Sequence, residues 1–242
     1  MLRVPVSPLV TGELTLDRAA SRYVARVHRL GIGEVLFLFD PAAAREAEAT
    51  VVAVGRAGVV CRVGEIRPAQ ARTERSTTLL QGIGKGDKLD AVVRDATELG
   101  ATRVVAVQTA RSIVRISGNE RAPERLARWR RIAAEAARQC GRADAPEIEG
   151  PLDLPGALAL TADERALKLC LWERATAPVG PMLRALAADT PLVVLIGPEG
   201  GLEESEVTAA EDRGFFPVSL GPLILRTETA ATAILGAALV LG

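Results

Sequence analysis

The sequence predicts an α/β fold in two parts: a small β-rich unit at the N-terminus, then a larger domain on a mostly parallel sheet. Three observations predict it. Short apolar runs separated by glycine turns fill the first 70 residues. Strand-like and helix-like segments alternate from Ser76 onward. Pro68 to Thr73, polar and without periodicity, lies between the two patterns, so the division expected is 1–70 and 74–242.

In the first part, Glu34 to Asp40 is a short apolar strand closed by an Asp-Pro turn. Thr50 to Val54 and Val59 to Val63 flank Gly55-Arg-Ala-Gly58 and read as a hairpin. Asp17 to Arg29 reads as one short helix, with Ala20, Val24 and Val27 on a common face. Short strands joined by glycine turns over so few residues fit a small barrel.

In the second part, Ser76 to Gln81 is a strand and Asp87 to Leu99 a helix stopped by Gly100. Arg103 to Gln108 is the next strand. Pro123 to Cys140 is a helix, with Leu126, Trp129, Ala133 and Ala136 along its buried stripe. Leu167 to Leu171, Leu192 to Ile196 and Pro217 to Leu220 are three further strands. Helices near Pro181 to Ala188 and Glu203 to Arg213 lie between them, and a last helix runs from about Thr227 to Leu241. Such alternation covers a parallel sheet with helices on both faces. The last helix is apolar nearly all round, so burial on all sides is expected, and an interface with a second copy is one way to achieve it.

The composition, 48% hydrophobic and 25% charged over 242 residues, is that of a soluble globular chain. The run from Ala230 to Gly242 is too short to span a membrane. Pro5 and Pro8 interrupt any signal-peptide core, so a cytoplasmic protein is expected. Cys61, Cys140 and Cys170 are dispersed and odd in number, which gives neither a disulfide framework nor a zinc pair. With His28 the only histidine, a His-ligated metal and a Ser-His-Asp triad both lose support, and no metal is expected.

A net charge of zero first argues against a nucleic-acid partner. Its distribution argues otherwise. Residues 1–75 carry 11 basic and 8 acidic side chains, 76–150 carry 13 and 10, and 151–242 carry 6 and 12. Between 103 and 142 there are ten Arg against three Glu. Of the 30 basic residues 27 are Arg; codon bias accounts for such a skew, and so does phosphate contact by the planar guanidinium.

Ligands bind beyond the carboxyl ends of the strands in open α/β sheets. Two loops there stand out. Ile196-Gly-Pro-Glu-Gly-Gly-Leu202 follows an apolar strand, and its glycines let backbone amides approach a ligand. Leu220-Gly-Pro-Leu-Ile-Leu-Arg-Thr-Glu-Thr-Ala230 enters the last helix. Each alone reads equally as a tight strand-to-helix turn. Together they bring Glu199 and Arg226 to one sheet edge. Gly82-Ile-Gly-Lys-Gly86 matches neither a dinucleotide nor a P-loop fingerprint, because Asp87 and Leu79 occupy the required glycine positions. Lys85 and Lys88 sit at that strand-to-helix junction, where phosphate contact or a solvated turn both fit.

Lys85-Gly-Asp-Lys88, Thr97-Glu-Leu-Gly100, Gln139-Cys-Gly-Arg142, Pro146-Glu-Ile148, Ile196 to Gly201 and Leu225-Arg-Thr-Glu-Thr-Ala230 occur in an order that resembles the RsmE family of 16S rRNA uracil-N3 methyltransferases, of the SPOUT superfamily. The resemblance covers essentially the whole chain, and the last two motifs carry most of its specificity. It implies a PUA-like barrel over 1–70 that grips RNA and a SPOUT domain over 74–242 with a deep trefoil knot. It also implies S-adenosylmethionine held in the knot, and a homodimer formed through the knot region and the last helix. The cofactor residues implied are Leu171, Trp172, Ile196, Gly197, Pro198, Glu199, Gly200, Gly201, Leu220, Gly221, Leu225 and Thr229, with Arg226 and Glu199 catalytic. The contacts to 16S rRNA or the small ribosomal subunit would come from Arg22, Arg26, Arg29, Lys85, Lys88, Arg111, Arg115, Arg138 and Arg142. Two positions depart from the family pattern: Asp95 stands where a Lys is usual, and Tyr23 where a His is usual. Rival expectations are a SPOUT enzyme acting on another RNA or on a ribose 2′-oxygen, and a non-catalytic RNA-binding assembly factor.

A grip dominated by Arg–phosphate contacts releases counterions, so affinity for rRNA should fall about tenfold or more between 50 and 200 mM salt. Filter binding across that range checks this.

Overall fold

The computed structural model describes residues 2–40, 43, 45–69, 75–112, 122–142 and 144–241. The chain divides into two compact units, Met1–Arg72 with Ala137–Ala145, and Thr73–Ala136 with Pro146–Gly242. The return of 137–145 to the first unit is a long-range event that no local pattern signals.

The first unit holds β1 (Arg3–Pro5), β2 (Gly12–Thr15), α1 (Arg18–Arg22), β3 (Val35–Asp40), β4 (Arg45–Gly55), β5 (Gly58–Val63) and β6 (Arg67–Pro68). Its sheet runs β1-β3-β4-β5-β2, with β6 beside β4. Only the β1–β3 pair is parallel. The hairpin about Gly55 and Gly58 is present, with Gly55 opposite Gly58. The helix expected over Asp17 to Arg29 is shorter. Asp17 caps it by accepting from Ala20 N at 2.7 Å, but after Arg22 the chain widens into a π-helical turn over Tyr23–Val27. The left-handed φ of 56° at Arg29 closes the segment. Val4, Val24, Leu36, Leu38, Ala47, Val51 and Cys61 form this unit's core.

The second unit holds β7 (Thr77–Gly82), α2 (Lys88–Glu98), β8 (Arg103–Gln108), α3 (Ala122–Cys140), β9 (Glu147–Asp153), α4 (Leu154–Ala159), β10 (Leu167–Leu171), α5 (Gly180–Arg184), β11 (Leu192–Ile196), α6 (Glu204–Glu211), β12 (Phe216–Val218) and α7 (Thr227–Leu241). The last turn of α3 belongs to the first unit. The strand order is β12-β10-β11-β7-β8-β9, and every pair is parallel. Alternate residues of each strand feed two separate cores. Leu79, Val104, Leu169 and Val194 face α2, α3, α5 and α7; Leu80, Val105, Cys170 and Leu195 face α4 and α6. The chain is thus an α/β fold with helices on both faces of its parallel sheet.

Neither β9 nor α4 is visible in the sequence pattern. Gly150-Pro151 breaks the strand, which is possible because β9 pairs only with β8 and Pro is tolerated at a sheet edge. Helix α4 contains Pro155 and Gly156, yet forms because Asp153 caps it, accepting from Gly156 N at 2.9 Å.

Within this one chain the last helix is buried on one side. Ala230, Ala231, Ile234, Leu235 and Ala238 are buried against α2, α5 and β11, while Leu239, Leu241 and above all Val240, 82% accessible, are exposed. Arg75 steadies the far end by donating to Ala238 O and Ala187 O. Among the described residues no helix is long and apolar enough to cross a membrane. Burial pushes the Cys61 and Cys170 thiols up to about 11 and about 12, so both remain inert thiols at neutral pH.

Leu195 is fully buried at the centre of the parallel sheet. Leu195→Ala should cost about 2–5 kcal/mol, whereas Val240→Ala should stay within about 0.5 kcal/mol. Urea unfolding midpoints check both.

Candidate active site

A cavity of about 500 Å³ opens beyond the carboxyl ends of three neighbouring strands. Its walls come from the segments after β10 (Leu171 to Glu173), β11 (Ile196 to Gly201) and β12 (Val218 to Thr227), with Ala230 of α7. These are the loops singled out by glycine content, and parallel strand direction alone brings their ends together. The size and the mixed polar and apolar lining suit a small organic ligand.

The site depends on a crowded crossing. A Cβ added to Gly82, at the end of β7, would lie 2.5 Å from Pro198 N and 2.7 Å from Gly197 C. Only glycine allows the strand and the loop to approach so closely. The adjacent Gln81 donates through Nε2 to Thr227 Oγ1 at 2.8 Å, and the Thr227 hydroxyl donates to Gly197 O at 2.6 Å. Thr227 therefore ties the start of α7 to the loop after β11, while Gln81 ties both to β7. Gly201, with φ +73°, turns the loop back toward Glu173.

Glu199 is held on the opposite side of the same loop. Its carboxylate accepts from Lys85 N at 3.1 Å and pairs with Lys88 Nζ at 3.0 Å. Lys88 also reaches Glu228, at 3.5 Å. Burial pushes the Glu199 carboxyl up, but its own backbone, Lys88 and the Lys85 amide outweigh this and hold it below the usual range. The bond to Glu199 pushes Lys88 above its ordinary value. At neutral pH the pair is ionised, which suits Glu199 to orienting the loop and disfavours it as a proton acceptor.

All the expected cofactor residues line the cavity except Thr229. Thr229 is exposed on α7; Thr227 and Ala230, three apart and on one helix face, line the cavity instead. Glu173, Val218, Ser219 and Pro222 to Ile224 also line it, and sequence reasoning missed Glu173. Its only signal was its place directly after Trp172. Arg226 lines the cavity, is exposed, and has no ion pair among the described residues. Trp172 is half-buried, and its Nε1 is buried with no hydrogen-bond partner among the described residues.

The expected RNA contacts separate into groups. Arg22, Arg26 and Arg29 are exposed on or after α1, and Lys85 is exposed. Lys88 is committed to two carboxylates. Arg111 donates to Gly200 O at 2.9 Å and lies 3.8 Å from Glu203, bracing the cavity loop. Arg138 is half-buried over the Tyr23 ring, 5.6 Å from its centre. Arg142 is corrected: it is 5% accessible and paired with Asp144, so it is not a surface phosphate contact. Arg115 lies outside the described residues. Of the two departures from the family pattern, Asp95 pairs with Arg94 and accepts from Thr232, and Tyr23 packs edge-on against His28.

Residues 71–239 match the family model described as an RNA methyltransferase domain. A ribosomal RNA small subunit methyltransferase E from Mycobacterium tuberculosis is 36% identical over 89% of this chain and 81% of its own. The chain belongs to the ribosomal RNA small subunit methyltransferase E family. Among solved structures, a family member from Neisseria gonorrhoeae bound to S-adenosyl methionine is 29% identical, with a TM-score of 0.87 over 98% of this chain and 96% of that one. A putative methyltransferase from Legionella pneumophila in complex with bound S-adenosylmethionine is also 29% identical, with a TM-score of 0.84 over the same shares.

Within this family's fold, the crossing at Gly82 sets a sharp test. Gly82→Ala should separate β7 from Pro198, lower the melting temperature, and weaken S-adenosylmethionine binding at least about tenfold, because the loop that lines the cavity must move. Calorimetry and thermal melts check this; unchanged affinity would show that the crossing does not shape the cavity.

Proposed function

We propose that this chain methylates N3 of a uridine in 16S ribosomal RNA of the small subunit, using S-adenosylmethionine bound in the cavity beyond β10, β11 and β12. The observation that carries the reading is the cavity at the three strand ends, with glycine backbone on one side and the Trp172 side chain on another. An adenosine-bearing ligand fits both features: its flat base needs apolar walls, and its many acceptors need donors. Leu171, Ile196, Gly197, Leu220 and Leu225 would hold it. The cofactor, when bound, supplies a methyl group on a sulfonium.

The chain's own groups supply the rest. Uridine N3 carries a proton that must pass to water before the nitrogen can attack, and negative charge then spreads onto the uracil oxygens. Arg226, at the cavity edge with no ion pair, is placed to stabilise that charge. Glu199, held by Lys88, keeps the Gly197–Gly201 loop in register. N3 lies on the pairing edge, so the uridine must be unpaired or drawn out of its helix.

The same proposal takes the first unit as a PUA-like RNA-binding barrel, with Arg22, Arg26 and Arg29 among its contacts, and Lys85 beside the cavity as a further one. It takes the crossing of β7, the loop after β11 and the start of α7 as a trefoil knot. It takes the chain as a cytoplasmic homodimer. Support for the last point comes from exposed apolar residues in the cavity loop and the last helix, Leu223, Ile224, Leu239 and Val240, which a partner copy would cover.

Incubation with 16S rRNA and the cofactor, followed by nucleoside mass spectrometry, should yield 3-methyluridine. A ribose-methylated product, or none, would defeat the reading. Arg226→Ala should lower the methylation rate about 10²–10³-fold while leaving cofactor affinity within about twofold.

A further inference from the structure

We propose that Glu173 makes the cavity distinguish the cationic methyl donor from its neutral demethylated product. This rests on the reading of the cavity as the cofactor site. Glu173 leaves β10 directly after Trp172 and lines the cavity. Its carboxylate oxygens lie 2.9 and 3.1 Å from where a Cβ on Gly201 would stand, so the side chain reaches the β11 loop at a residue whose φ of +73° favours glycine.

The charges around the cavity are otherwise assigned. Glu199 is bound by Lys88 and the Lys85 amide. Glu228, at the start of α7, shares Lys88. Arg226 is a cation, and Arg174 lies over the Trp172 ring, 6.0 Å from its centre. Glu173 has no hydrogen bond or ion pair among the described residues. It is the one carboxylate lining the cavity, among the described residues, whose charge is uncompensated.

A sulfonium has no N–H or O–H to donate, so a protein recognises its charge through Coulomb attraction. Transfer breaks the sulfur–methyl bond, with the electron pair staying on sulfur, and forms a nitrogen–methyl bond from the N3 lone pair. What is left is a neutral thioether. The ribose hydroxyls and the amino-acid end are the same before and after transfer. A carboxylate facing the sulfur region is therefore attracted to the donor and not to the product, and it biases the cavity toward release of the product.

Isothermal calorimetry with S-adenosylmethionine and S-adenosylhomocysteine tests this on the full chain. Glu173→Gln should weaken the sulfonium ligand about fivefold and leave the thioether within about twofold; Glu173→Asp should fall between. Equal losses for both ligands would overturn the proposal and assign Glu173 to a shared group such as the ribose, and no loss for either would overturn it as well. Retained affinity for the thioether shows that the variant is folded. In the wild-type chain, the ratio of the two affinities should narrow as salt rises, and a salt-independent ratio also counts against the proposal. The underlying reading has its own readout. The indole N–H resonance lost in Trp172→Phe should shift when the wild-type chain binds S-adenosylhomocysteine; binding without that shift sinks the cavity reading, whatever Glu173 does.

Discussion

Three stretches of backbone pass through a space too small for a side chain. At the end of β7, Gly82 lies against the peptide between Gly197 and Pro198, and Gln81 and Thr227 join the same point through hydrogen bonds. Everything functional in the second unit follows from that packing. Because β7 and β11 are neighbours with their carboxyl ends aligned, the loop after β11 must turn sharply. Because Thr227 is bonded into the turn, α7 must begin there, and residues 219–226 are left to wrap around the cavity. The cavity is the space enclosed by chain held at both ends.

The charged residues near this crossing serve it. Lys88 stands between Glu199 on one loop and Glu228 on another, so a side chain expected to meet phosphate is an internal tie. Arg111 likewise braces Gly200, and Glu206 accepts from Ala110 N at 2.8 Å while closing the first turn of α6. The net charge of zero thus combines separate populations: exposed arginines on the first unit, paired lysine and arginine around the cavity, and two cavity-facing side chains, Arg226 and Glu173, with no partner among the described residues.

Much of this was legible in the sequence. The helical repeat from Leu89 to Ala96 and the glycine-bounded apolar runs mark elements whose signals are local. The loops Ile196 to Leu202 and Leu220 to Ala230 stood out because close backbone approach demands glycine, and composition records that demand directly. Other features were hidden for physical reasons. Strand β9 carries Gly150 and Pro151, which read as a break, and its existence depends on β8 for pairing. Helix α1 looked longer because its apolar spacing continues through a π-helical turn that breaks the ordinary hydrogen-bond ladder.

By itself the sequence determined the α/β class, the two loops that form the site, and the use of glycine at 197, 200 and 201 for close backbone approach; the need for glycine at 82 came only with the structure. Only the tertiary structure decided which charges are free. Lys88 and Arg142 look like surface cations until their carboxylate partners are seen, and Thr229 looks like a site residue until the helix turns it away. Glu173 looks like an ordinary polar residue until Gly201 is found beside it. Backbone conformation is set by local chemistry, so residue type reports it. The state of a charged side chain is set by whichever neighbours folding brings within a few ångströms, and these lie anywhere in the chain.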